Sequence, residues 1–257
     1  MAFARLAVFL LAAMTAACAA TGELPPPRQY SPAELSQLRY KAVLIAGQRN
    51  STAFDHATQV MRDRLLARQV PPADIQRLSA TWDVIAQDGV RSASLDHVLA
   101  AIERIQPGPG QGCLVFATSH GGFQQGVELA ASGNFLRPET LDEALVRGCG
   151  NAPTVVIISA CFSGNFTRPP MARANRIVLT AARSDRTSFG CDARAEFTFY
   201  DRCLLQAMDH AVTWRAAYAL IRTCVSDREK AGKFVPSEPR AWFGDAVEGM
   251  PIPRPPS

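Results

Sequence analysis

Short apolar runs alternate with amphipathic stretches along most of this chain, a pattern that predicts βαβ units folding into a mainly parallel sheet with helices on both faces. The runs predict strands over Ala42–Ala46, Asp74–Ser79, Cys113–Thr118, Thr154–Ala160 and Ile177–Ala181. Between them, Ala53–Arg68 sets Ala57, Val60, Met61 and Leu65 along one helical face, and Leu95–Ile105 does the same with Leu95, Val98, Leu99, Ile102 and Ile105. A shorter helix is expected over Leu141–Val146. Two runs end abruptly in reactive residues. Val115-Phe116-Ala117 is followed by Thr118-Ser119-His120-Gly121-Gly122, and the run from Val155 to Ile158 by Ser159-Ala160-Cys161-Phe162-Ser163-Gly164. Ligands of parallel sheets bind outside the carboxyl ends of the strands, so both reactive groups are expected at one rim.

The ends of the chain read differently. Arg5, an apolar stretch from Leu6 to Met14, and the small residues Thr15, Ala16 and Ala17 before Cys18 have the form of an export signal over residues 1–19. Two readings of its end stay open: acylation of Cys18 as in a bacterial lipoprotein, or ordinary cleavage near Ala19. Residues 20–40, with Pro25, Pro26 and Pro27, read as an extended tether. The folded domain is expected over 41–247, and the prolines of 248–257 predict a frayed tail. The expected location is outside the cytoplasm: the periplasm, an outer-membrane tether through the lipid, or the medium.

Composition narrows the function classes. Of 257 residues, 47% are apolar and 19% charged, which is globular and unlike a disordered or multi-span membrane chain. The net charge of +4 is scattered, without a basic stripe to follow a phosphate backbone, so nucleic acid is not expected as a partner. No Cys-x-x-Cys pair or His cluster suggests a metal site. The seven cysteines, in an oxidising compartment, should partly pair. A bridge is expected between Cys113 and Cys149, placed at the starts of neighbouring strands, with one of Cys191, Cys203 and Cys224 left over.

A thiol needs a nearby imidazole to take its proton and hold the thiolate, and His120 can serve Cys161 in that way. The amides of Gly121 and Cys161 could then stabilise an oxyanion. Here the sequence resembles the legumain-type asparaginyl endopeptidases of the caspase-haemoglobinase clan, as an exported bacterial member. The resemblance lies in His120-Gly121, in Ser159-Ala160-Cys161-Phe162-Ser163-Gly164 against the family's Glu-Ala-Cys-x-Ser-Gly, in Ala46-Gly47, and in Thr180-Ala181-Ala182. It spans most of residues 41 to 210. It implies an α/β three-layer sandwich, a cysteine endopeptidase acting on proteins or peptides through an acyl-enzyme, and no cofactor. The family's Arg-His pair falls opposite Asp55-His56, its Glu is replaced by Ser159, and Ser188 and Asp201 fall near other pocket positions. Two carboxylates, Asp55 and Asp201, facing one pocket would favour Lys or Arg at the cleaved position. A transpeptidase using the same dyad, and a non-catalytic binding protein on the same fold, are the alternatives. The oligomeric state is not legible, and residues 124–137 are expected to form a flexible lid or substrate loop.

Overall fold

The computed structural model describes residues 29–253, so the expected export signal, Cys18 and most of the Pro-rich stretch lie outside the described residues. The strands are β1 (Arg39–Ala46), β2 (Ile75–Ser79), β3 (Arg91–Ser92), β4 (Gln111–Thr118), β5 (Gly121–Gly122), β6 (Gly126–Leu129), β7 (Asn134–Leu136), β8 (Thr154–Ser159), β9 (Arg176–Thr180) and β10 (Arg240–Phe243). The α-helices are α1 (Pro32–Ser36), α2 (Thr52–Ala67), α3 (Trp82–Asp88), α4 (Leu95–Glu103), α5 (Pro138–Cys149), α6 (Phe199–His210) and α7 (Trp214–Ala231).

Seven strands form one sheet in the order β10-β9-β8-β4-β1-β2-β3, parallel except for the antiparallel edge pair β10–β9. The alternation of side chains explains why its strands read as unbroken apolar runs. Leu44, Phe116, Val155, Ile157 and Leu179 enter a core with α2, α6 and α7 on one face. Val43, Ile45, Val115, Val156, Ile158 and Val178 enter a second core with α4 and α5 on the other. A strand covered on both faces has no solvent side on which to carry polar residues. The result is a three-layer α/β sandwich.

The direction of strand addition reverses between β1 and β4, because β2 and β3 lie on one side of this pair and β8 to β10 on the other. Connections leave this point in opposite directions and open a crevice above it. The loop after β1 and the loop after β4 face each other there, and β8 lies next to β4 with Thr118 opposite Ser159.

Three expectations are corrected. Folding starts before Lys41: α1 carries a Ser31–Glu34 capping box and buries Leu35, and β1 begins at Arg39. The tail is packed as far as it is described, since Met250 and Ile252 are buried in the first core and Pro251 bridges to Thr213. Residues 124–137 form no lid. They make β6 and β7 of a small antiparallel sheet, β5-β6-β7, and seat Val127, Leu129 and Leu136 in the second core.

Cys113 and Cys149 form a disulfide, but Cys149 closes α5 rather than opening a strand. A second disulfide joins Cys203 of α6 to Cys224 of α7. Among the described residues Cys161 and Cys191 are free.

Candidate active site

His120 and Cys161 each stand two residues beyond the paired ends of β4 and β8, Thr118 and Ser159. The Ser119 amide donates to Ser159 O at 3.1 Å, carrying the ladder one step past the strands. Register alone therefore brings the two loops together. The Gly121 backbone runs directly against Cys161. A Cβ on Gly121 would overlap the Cys161 carbonyl oxygen, so the position admits only glycine. Besides offering its amide to an oxyanion, this glycine lets the two loops pass each other.

The small sheet sets the direction of the Gly121 amide. Gly121 pairs with Val127, and the next pair, His120 and Glu128, is hydrogen-bonded through the Glu128 amide and the His120 carbonyl at 3.0 Å. Hydrogen-bonded and open pairs alternate in an antiparallel ladder, so the Gly121 N–H points away from β6. It is free to donate on the side of Cys161.

The imidazole of His120 is held at the crevice. Its Nε2 lies against the side-chain amide of Asn50 in the loop after β1, 2.9 Å from Nδ2 and 3.1 Å from Oδ1, and its ring meets Phe54 edge to face at 5.4 Å. Asn50 was not singled out from the sequence, where it carries no motif. It meets His120 only because the chain reverses between β1 and β4.

Cys161 Sγ sits against Ser188. The Ser188 amide donates to Sγ at 3.2 Å, and the Ser188 hydroxyl lies 3.7 Å away. The following residue, Phe162, has φ 57°, a left-handed conformation that is rare for a bulky side chain. Its amide donates to Arg186 O at 2.8 Å, tying the nucleophile turn to the same loop that carries Ser188.

Asp201 lies beneath this rim, in the first turn of α6, whose N-cap is Thr198. Thr118 donates to its Oδ2 at 2.7 Å, while Oδ1 is buried without a hydrogen-bond partner. Ser159 is also buried, its hydroxyl 3.4 Å from that of Thr198. Burial pushes the Asp201 carboxyl up to about 6, outweighing the hydroxyls of Thr118, Ser159 and Thr198, which pull it down. The folded protein thus holds this proton more tightly than the unfolded chain. The associated stability is complete below the ordinary value of 3.8 and declines as pH rises through about 6. In Asp201→Asn, which keeps an acceptor for Thr118, that decline should vanish. The stability of the variant relative to the natural protein should rise between about pH 4 and about pH 7 by on the order of 3 kcal/mol. Urea unfolding at both pH values checks this, and a constant difference would contradict it.

Asp55 and His56 are placed elsewhere than expected. Both lie inside α2, since the loop after β1 already ends at the helix cap Ser51. The Asp55 carboxylate turns toward β2, accepting from Thr81 Oγ1 at 2.7 Å, with Arg77 at 3.9 Å. Burial pushes its carboxyl up, against the opposing hydrogen bond from Thr81. It does not share a pocket with Asp201. His56 Nδ1 lies 3.1 Å from Glu196 O and its ring stacks on Phe197 at 4.4 Å. Together with the Ser51 hydroxyl, which donates to Asp192 O at 3.0 Å, it braces the segment leading into α6. A cavity of about 870 Å³ lined by Asp55, Gln59, Arg77 and Arg91 lies on that flank, away from Cys161. Among the described residues no group of His, Cys, Asp or Glu is placed to hold a metal ion, and no helix is long and apolar enough to cross a membrane.

The sequence profile of the peptidase C13 family matches residues 93–249, more than half of the chain. No curated protein sequence matches. Among solved structures, caspase-1 from Spodoptera frugiperda is similar over 81% of this chain and 87% of its own, with a TM-score of 0.58 and 11% identity. That likeness is one of fold.

Proposed function

The chain belongs to the peptidase C13 family, the legumain family of the caspase-haemoglobinase clan, and from that premise we propose that it is an exported cysteine endopeptidase working through a Cys161–His120 dyad. The observation that carries the reading is the meeting of His120, the Gly121 amide and Cys161 at the ends of adjacent strands β4 and β8.

The thiolate of Cys161 attacks the carbonyl carbon of the scissile bond. The oxygen, now anionic, accepts hydrogen bonds from the Gly121 and Cys161 amides. His120, held in place by Asn50, passes the thiol proton to the departing amine, which leaves a thioester on Cys161. Water then attacks the thioester with His120 as base, releasing the acid. The natural partner is a protein or peptide.

Two finer points belong to this reading. Export, to the periplasm, to a lipid tether at Cys18 or to the medium, is supported by the Cys113–Cys149 and Cys203–Cys224 disulfides, which persist in oxidising compartments. Preference for Lys or Arg before the cleaved bond now rests on Asp201 alone, whose carboxyl is fully buried beneath the rim and whose Oδ1 has no hydrogen-bond partner among the described residues. Fluorogenic peptides ending in Lys, Arg, Asn or Asp should be cleaved with kcat/KM at least about tenfold higher for the two cations. Preference for Asn would overturn the basic pocket while leaving the dyad intact.

A further inference from the structure

We propose that Phe123 and Phe162 form the subsite for the first residue of the leaving peptide, P1′, and that this subsite selects a bulky apolar side chain. The inference rests on the cysteine-peptidase reading and extends it to the other side of the scissile bond.

The side of Cys161 facing Ser188 is already filled by that residue's amide, carbonyl and hydroxyl, with Asp201 below the rim. On the reading that Asp201 governs the residue before the cleaved bond, the acyl half of a substrate is recognised there. The departing amine has to lie within hydrogen-bond reach of His120, which protonates it. The chain beyond that amine consequently leaves across the segment that follows His120 and the residue that follows the nucleophile. Those two positions carry Phe123 and Phe162.

Their rings meet edge to face with centroids 5.6 Å apart and planes at 77°. Phe123 is 53% exposed, a large apolar surface left in water. The left-handed backbone of Phe162, which costs a side-chain-bearing residue about 1–2 kcal/mol, sits within one residue of the nucleophile. Strain and solvent-exposed aromatic surface together beside a reactive group mark a place where an occupant is expected. Beyond Phe162 a cavity of about 210 Å³ continues the surface, lined by Gln124, Arg137, Asn165 and Arg168 together with Pro138, Phe166 and Pro169.

The test uses internally quenched peptides identical on the acyl side, with Gly, Ala, Leu, Phe or Asp at P1′, on the natural protein and Phe123→Ala. The exposed position of Phe123 leaves folding undisturbed. We expect kcat/KM for Leu and Phe to exceed that for Gly by roughly tenfold or more, and the Leu-to-Gly ratio to fall toward one in Phe123→Ala. A peptidyl aldehyde, which has no leaving group, reports the thiol and the acyl-side pocket independently. If the aldehyde binds Cys161 but the rates are indifferent to P1′, favour Asp, or keep their preference in Phe123→Ala, the subsite is overturned and the peptidase reading stands. If the aldehyde does not bind and no peptide is cut, both fall together.

Discussion

Alanine at Cys161 should lower kcat by about 10⁴- to 10⁶-fold while leaving the fold and its melting temperature unchanged. The thiol is half-exposed and, among the described residues, hydrogen-bonds with Ser188, so its removal opens no core cavity. What is lost is the thiol that forms the acyl-enzyme. His120→Ala should cost nearly as much, since the imidazole is the group that takes the thiol proton and hands it to the departing amine. Because the two act as a unit, the double variant should be scarcely slower than either single one. Rates on a single peptide substrate, with circular dichroism as the control for folding, measure all three. Separate, additive losses would mean that the two residues do not work as a dyad.

Alanine at Gly121 should be the most damaging change outside the dyad. The added methyl overlaps backbone rather than the end of a flexible side chain, so either the nucleophile turn or the small sheet must move. The small sheet is anchored by Val127, Leu129 and Leu136 in the second core, which leaves the Cys161 turn as the part that yields. Displacing it misaligns Sγ, the Cys161 amide and the Gly121 amide at once. A loss of about 10²- to 10³-fold in kcat is expected, the scale of an oxyanion donor, with about 1–3 kcal/mol of destabilisation from overpacking. Gly122→Ala is the control. Its added methyl meets the side chains of Gln125 and Phe135, which can shift, so the effect should be far smaller. Equal effects of the two substitutions would argue against a special fit between Gly121 and Cys161.

The parts of the fold that were legible in the sequence are those whose burial is complete. β1, β4, β8 and β9 are covered on both faces, so their residues are apolar without interruption and their positions emerge directly. β10 escaped notice because an edge strand of sequence Arg-Ala-Trp-Phe, half-exposed and antiparallel, carries neither an apolar run nor clean alternation. The small sheet escaped because Gly121–Gly122 has no strand propensity of its own. The only trace of β6 is the alternation Val127, Glu128, Leu129, too short to separate from a loop.

The same distinction holds in the site. His120 and Cys161 were legible because each ends a buried strand, and position after a strand is a property of the local sequence. Asn50 was not, because its partner is 70 residues away and the contact depends on which strands are neighbours. Asp55 was misassigned for a related reason. Its pocket role came from its place opposite the family's Arg-His pair, but within α2 each residue turns by about 100° and Asp55 faces β2.

The central claim, that Cys161 is an activated nucleophile, is tested most directly by treating the folded protein with a peptidyl acyloxymethyl ketone and mapping the adduct by intact mass and peptide analysis. The protein offers its own internal comparison in Cys191, a second free thiol whose pKa is pushed up by burial and then by the nearby Cys161, so that its ionisation is suppressed. The account predicts one adduct, on Cys161, absent in Cys161→Ala and slowed in His120→Ala. A folded protein that takes no label, or takes it on Cys191, would contradict it.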